Sequence, residues 1–261
     1  MNKIQKFDEM ASFPNVIQAD FNEVFRKDYP LKGKWNELFF KNSKPIILEL
    51  GCGKGEYTVA LAKRFPENNY IGVDIKGARM YVGALQSNQE ELKNVAFIRT
   101  HIELLDSFFS QNEVSGIWLT FPDPQMNKTR KRLTSTKFLT LYSKLLKSDG
   151  KIHLKTDSNF QFSYTLALIE ENNFKIIEKY EDVHNQVIPD NVLNIKTYYE
   201  ERFIGYGIPI KYCCFIPDFS LPLCEPEIDI PRDPYHNAGR GVKPILTDMK
   251  KASSNEKAFT N

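Results

Sequence analysis

The chain has 261 residues, 41% of them hydrophobic and 26% charged, a profile that excludes a disordered or membrane-embedded polypeptide and fits an ordinary folded domain with extensions. Its formal net charge of +2 excludes nucleic-acid binding by bulk charge, so an anion-binding face has to come from how the charges are distributed. Four cysteines without C-x-x-C spacing, and no stretch approaching the ~18 apolar residues of a span or the core of a leader, predict no metal, no membrane and a reduced, cytoplasmic compartment.

Residues 1–44 are mixed, broken by Pro14, Pro30 and Gly33, and read as an N-terminal extension. An alternation follows over 45–216. Ile46–Leu50 is a short apolar run, succeeded by Gly51, Gly53 and Gly55 and by helical spacing from Tyr57 to Phe65. Tyr70–Val73 is a second strand ending at Asp74, Ala78–Leu92 a helix, Val95–Ile98 a third strand and Ile117–Phe121 a fourth.

Thr134 or Ser135 is then suited to cap a helix that carries Phe138, Tyr142, Leu145 and Leu146 on one face, with Gly150 as its stop. Lys151–Lys155 is a fifth strand, and Asp157 or Ser158 opens a helix over Phe160–Ile169. Phe174–Tyr180 and Ile208–Phe215 close the series as strands. This order predicts an α/β fold, a mostly parallel sheet with helices on both faces. Residues 217–261 hold six of the 14 prolines and read as an irregular extension with a disordered tip.

Charge is strongly partitioned. From Gln125 to Lys155 nine Lys or Arg face one acid, whereas from Thr156 to Glu201 nine acids face three lysines. One face therefore wants anions and another wants cations or hydrogen-bond donors.

The strand, glycine turn and helix start in "ILELGCGKGEY" let backbone approach a ligand at the end of the first strand. Dinucleotide sites share this geometry, but here the third glycine comes one residue early for G-x-G-x-x-G. Asp74 stands where a carboxylate accepts from ribose hydroxyls, which suits NAD and S-adenosylmethionine alike. Glu49 separates the two: it would repel a pyrophosphate and suits a ligand with an ammonium and a sulfonium. A ligand-free turn, with Glu49 satisfied by backbone donors, is the plainer alternative.

In "FPDPQMNKTRKRL" the prolines stiffen a turn that aims Asp123 at the cofactor end of the sheet. Lys128, Arg130, Lys131 and Arg132 follow just before a helix, where cations oppose the dipole unless they meet an anion such as a phosphate backbone. A solvated charge run is the simpler alternative. Thr156 and Asp157 end the fifth strand, and Thr197 with Glu200 in "TYYEERF" are one turn apart. Capping explains these equally on spacing alone, Asp157 as an N-cap and Thr197 with Glu200 as a capping box. His153, inside the fifth strand, reads as a core residue.

On "LELGCGKGEY", "YIGVDIKGAR", "FPDP" with its basic tail, "HLKTDS" and "TYYEERF", the chain resembles the bacterial tRNA (guanine-N7-)-methyltransferases from about Trp35 to Phe215. The resemblance implies a class I S-adenosylmethionine-dependent methyltransferase fold, Rossmann-like with seven strands. It further implies methyl transfer from S-adenosylmethionine to N7 of a guanosine in the tRNA variable loop.

By motif position Glu49, Asp74 and Asp123 would hold the methyl donor beside Gly51, Gly53 and Gly55. Lys128, Asp157, Thr197 and Glu200 would hold the substrate, with Asp123 and Asp157 nearest the chemistry. Gln125 stands where the family commonly has a tryptophan, and the basic segment is about two residues shorter. Lys128 and Arg130 therefore both stay open as the loop's contact to tRNA. His101 stands where an acid is frequent.

Two other readings remain: a methyltransferase with a protein or small-molecule acceptor, and a catalytically silent tRNA-binding subunit. A nicotinamide oxidoreductase fits least well, given Glu49 and the glycine spacing.

Overall fold

The run Ile-Ile-Leu-Glu-Leu at 46–50 is apolar on both faces, and such a strand is satisfied at the centre of a sheet covered on both sides. The computed structural model, which describes residues 2–185 and 192–233, places it there. In chain order the elements are α1 (Lys3–Met10), β1 (Val16–Ile17), α2 (Phe21–Val24), β2 (Ile46–Leu50), α3 (Glu56–Arg64), β3 (Asn69–Asp74) and α4 (Gly77–Gln89). After them come β4 (Val95–Arg99), α5 (Leu105–Phe108), β5 (Val114–Thr120), α6 (Thr136–Tyr142), β6 (Leu146–Thr156), α7 (Asn159–Glu171), β7 (Lys175–Tyr180), α8 (Tyr198–Gly205) and β8 (Lys211–Ile216).

The strands form one sheet in the order β1-β4-β3-β2-β5-β6-β8-β7. β1 to β6 pair in parallel, and β8 runs antiparallel between β6 and β7. All seven strands expected from the sequence are present; the sheet has eight because Val16 and Ile17 add a short parallel pair with Phe97 and Ile98. Two residues are too few to leave a periodic trace, and neighbours supply the pairing. The N-terminal segment also sends Trp35 into the core, fully buried, with its indole N–H donating to the Phe108 carbonyl at 2.8 Å.

One expected boundary is wrong. The sixth helix ends at Tyr142 rather than at Gly150, and Gly150 lies inside β6. Leu145 and Leu146 are buried as expected, but Leu146 pairs with Val114 as a strand residue. Apolar side chains at 138, 142, 145 and 146 fit both a helix face and a helix-to-strand passage, so periodicity did not separate them.

Successive strands run outward from β2 in both directions, β3 and β4 to one side and β5 and β6 to the other. The carboxyl ends of β2, β3, β5 and β6 thus open on one crevice at the point where strand order reverses, where open α/β sheets bind ligands. After β8 the chain, 217–233, returns over α6 and α7. Phe219, Leu223 and Ile230 pack against the core, and Asp233 is buried. The expected disordered tip falls on residues 234–261, outside the described residues.

Candidate active site

The glycine loop joins β2 to α3. Gly51, Gly53 and Gly55 have φ of +79°, +56° and +73°, a region that side chains rarely adopt. At Gly55 the requirement is doubled, because a Cβ there would come within 2.6 Å of the Phe97 ring. At Gly51 a Cβ would meet nothing within 4 Å. Backbone is thus bared toward open space at the end of the central strand, which fits a cofactor lying along the loop.

Asp74 ends β3, half-buried. Its carboxylate accepts from the Gly53 N–H at 2.9 Å and from the Lys76 N–H at 2.7 Å, so it fixes the loop as well as facing the crevice. Glu49 is buried and accepts from the Thr58 N–H at 2.8 Å and from the hydroxyls of Thr58 and Thr120. Burial pushes its carboxyl up to about 7, with the hydrogen bonds from Thr120 and Thr58 opposing. The donor set is therefore one backbone amide and two hydroxyls rather than backbone alone. A cation in the crevice would favour the ionised form, so the residues present fit a ligand carrying positive charge.

Register brings the acceptor side to the same edge. Thr120 pairs with Lys155, and the Phe121 N–H donates to the Lys155 carbonyl at 2.8 Å. Asp123 and Asp157 each lie two residues beyond those partners, at the ends of adjacent strands. Asp123 is exposed and accepts from the Gln125 N–H at 3.1 Å, which shapes the proline turn. Asp157 is buried, and the N-cap of α7 is Ser158, whose hydroxyl accepts from the Gln161 N–H at 2.9 Å. The capping alternative for Asp157 thus gives way to its neighbour.

Of the four cations, Lys128, Arg130 and Lys131 are exposed and Arg132 is not. Arg132 turns inward, donating to the carbonyls of Gln125 at 3.3 Å and Met126 at 2.9 Å, with its guanidinium 4.7 Å and 4.4 Å from the centres of the Phe160 and Tyr164 rings. It staples the loop; the other three face solvent. A groove of about 930 Å³ lies beside them, lined by Arg130, Lys137, Tyr164, Ile228 and Arg232 among others.

Thr197 is the N-cap of α8 and accepts from the Glu200 N–H at 3.2 Å, which is half of a capping box. The Glu200 side chain does not complete it. Glu200 is fully buried, 2.7 Å from the Lys155 ammonium and 2.9 Å from His184 Nε2. Lys155, also fully buried, donates to the carbonyls of Leu193 and Ile195, both at 2.9 Å. Burial pulls the Lys155 ammonium below its usual value, and Glu200 opposes the shift.

This ion pair ties α8 and the segment before it to β6, and the same segment touches α3 and its loop, where the Tyr57 hydroxyl donates to the Val192 carbonyl at 3.2 Å and Lys54 sits 4.3 Å from the centre of the Tyr198 ring. Sequence reading passed over Lys155, Thr58, Thr120, Asp233 and Arg232. Of these only Lys155, a cation next to Leu154 near the end of a central strand, carried a signal.

His153 is a core residue: it stacks on Trp118 at 4.1 Å and pairs through Nδ1 with the Tyr212 hydroxyl at 2.8 Å, and burial pulls it down to about 3. Among the described residues no group of three His, Cys, Asp or Glu side chains gathers as a metal site requires, and no helix is long and apolar enough to cross a membrane.

Residues 43–213 match a family model described as "Putative methyltransferase". A curated relative from Bacteroides fragilis, named tRNA (guanine-N(7)-)-methyltransferase, is 51% identical over 95% of this chain and 99% of its own length. Another of the same name, from Porphyromonas gingivalis, is 51% identical over 88% of this chain and 96% of its own. The crystal structure of the 16S rRNA methyltransferase KamB shares the fold, with a TM-score of 0.56 at 12% identity over 74% of this chain and 96% of that one. With a methyltransferase model matching residues 43–213 and relatives of this name half identical over nearly their whole length, the chain belongs to the tRNA (guanine-N(7)-)-methyltransferases.

Proposed function

We propose that the chain transfers a methyl group from S-adenosylmethionine to N7 of a guanosine in the tRNA variable loop, working with its substrate in the cytoplasm. The observation that carries this reading is the placement of Asp123 and Asp157 just beyond the ends of the adjacent strands β5 and β6, with a solvent-facing basic loop following Asp123. When bound, S-adenosylmethionine supplies an electrophilic methyl group on a sulfonium. Gly51, Gly53 and Gly55 bare the backbone that receives it, and Glu49, Asp74 and Asp123 hold its polar groups.

Guanine N7 offers a lone pair and loses no proton, so the chain has to align the base rather than deprotonate it. Methylation at N7 leaves a cationic ring. Asp157, buried at the strand end, accepts from the guanine Watson–Crick edge, selecting guanine and stabilising the growing charge. Lys128, Arg130 and Lys131 hold phosphates. Thr197 and Glu200 serve by holding the segment over α3, since the Glu200 carboxylate is committed to Lys155 and His184.

The test is methyl transfer from labelled S-adenosylmethionine to two tRNA transcripts, one ordinary and one with 7-deazaguanosine at the variable-loop position. Label on the first alone is expected. Label on neither, with cofactor binding intact, points to a protein or small-molecule acceptor; tRNA binding without cofactor binding points to a silent subunit.

A further inference from the structure

The strap at 217–233 ends in two residues that reach the two loops on the acceptor side. Arg232 is exposed, yet its guanidinium donates to Asn127 Oδ1 at 2.6 Å, inside the basic loop. Asp233 is buried, 4% exposed, and its carboxylate accepts from the Ser158 hydroxyl and from the Phe160 N–H at 3.1 Å. Ser158 is the neighbour of Asp157. A buried carboxylate is kept only where donors repay its desolvation, and here those donors are the α7 cap and first turn.

Further back, Glu225 accepts from the Thr136 N–H at 2.9 Å and its hydroxyl at 2.7 Å, at the start of α6 where the basic loop ends. Phe219, Leu223 and Ile230 give the strap its apolar footing. None of these contacts reaches the glycine loop.

Resting on the methyltransferase reading above, we propose that Arg232 and Asp233 form a clip that sets the basic loop and the Asp157 turn in register, making Asp233 a positioning residue for the acceptor. Strand pairing already fixes where β5 and β6 end, but the loops beyond those ends have no ladder to hold them. Arg132 ties the basic loop to itself and to the rings of Phe160 and Tyr164, whereas consecutive strap residues bound to one loop each tie the two loops to a common support. Misplacement of an aligning group by about 1 Å costs up to ~100-fold in rate, so the constraint has a kinetic signature.

The test uses the full chain and compares Asp233→Ala, Asp233→Asn, Arg232→Ala and Arg232→Gln with the parent. Asp233→Ala is expected to lower kcat on tRNA roughly ten-fold while S-adenosylmethionine affinity by calorimetry stays unchanged. Asp233→Asn, which keeps an acceptor for the Phe160 N–H, should recover part of that loss. Arg232→Ala should raise KM for tRNA by about three-fold, and Arg232→Gln, which keeps a donor for Asn127, should restore it.

Hydrogen exchange should rise in residues 123–132 for the Arg232→Ala variant, in 156–160 for Asp233→Ala, and in the glycine loop for neither. Unchanged kcat in Asp233→Ala, cofactor affinity falling in step with kcat, or Arg232→Gln as weak as Arg232→Ala would each overturn the clip. Should the parent label no tRNA, the proposed function fails, and the exchange pattern still decides the clip by itself.

Discussion

On the cofactor side of the crevice the carboxylates find mostly near partners: Thr58 reaches Glu49 across nine positions and Gly53 reaches Asp74 across 21, while Thr120 is 71 positions from Glu49. On the acceptor side Ser158 meets Asp233 across 75 positions, Thr136 meets Glu225 across 89, and Arg232 meets Asn127 across 105. A strand, turn and helix supply most of the donors to the carboxylates beside the glycine loop, whereas the loops after β5 and β6 are also held by chain that follows the last strand. Changes in the strap should therefore be felt by tRNA and not by the methyl donor.

Lys155 touches both sides, so breaking it should have the largest effect. Lys155→Met leaves Glu200 buried without its cation and should cost about 3–5 kcal/mol of stability in urea unfolding. A loss below about 1 kcal/mol would mean that His184 or water compensates Glu200.

Asp157→Ala sharpens the contrast. It should cut methyl transfer on the order of a hundred-fold or more, with calorimetric cofactor affinity intact. Loss of cofactor affinity instead would move Asp157 to the other side of the comparison.

Glu49 tests the cofactor side through pH. Its folded value, raised from 4.5 to about 7, means that the folded state favours the protonated carboxyl. Its contribution is fully present below about 4.5 and lost as pH rises through about 7, up to about 3 kcal/mol in the cofactor-free protein. Glu49→Gln should flatten that part of the stability profile, and cofactor binding near pH 6.5 should release a proton in the parent only. An unchanged profile would mean that Glu49 stays ionised in its threonine cage.

Neutralising Arg130 and Lys131 should have the smallest effect. It should weaken tRNA binding and reduce the slope of log affinity against log salt by about 1–2. An unchanged slope would make the pair bystanders, leaving Lys128 as the exposed cation of the cluster.

Much of the fold was legible because its signals are local. Ile46–Leu50, Tyr70–Val73 and Val95–Ile98 are apolar runs bounded by turns, and the glycines mark the loop by a backbone requirement independent of distant contacts. The passage from α6 to β6 was misread because Leu145 and Leu146 fit either period. Arg132 stands in the basic run like its neighbours, but Phe160 and Tyr164 on α7 draw its guanidinium inward. The cation that meets Glu200 is equally remote in the chain, on β6.

The alternating α/β order, the glycine loop, the strand-end carboxylates and the family could be read from the sequence, because each is written in side-chain period, turn chemistry or motif order. Which charges are spent inside the molecule and which remain for a ligand is settled by packing between distant segments. Whether a Lys, Arg, Asp or Glu is free depends on what packs beside it, and for Lys155, Arg132, Glu200 and Asp233 that neighbour comes from a remote part of the chain.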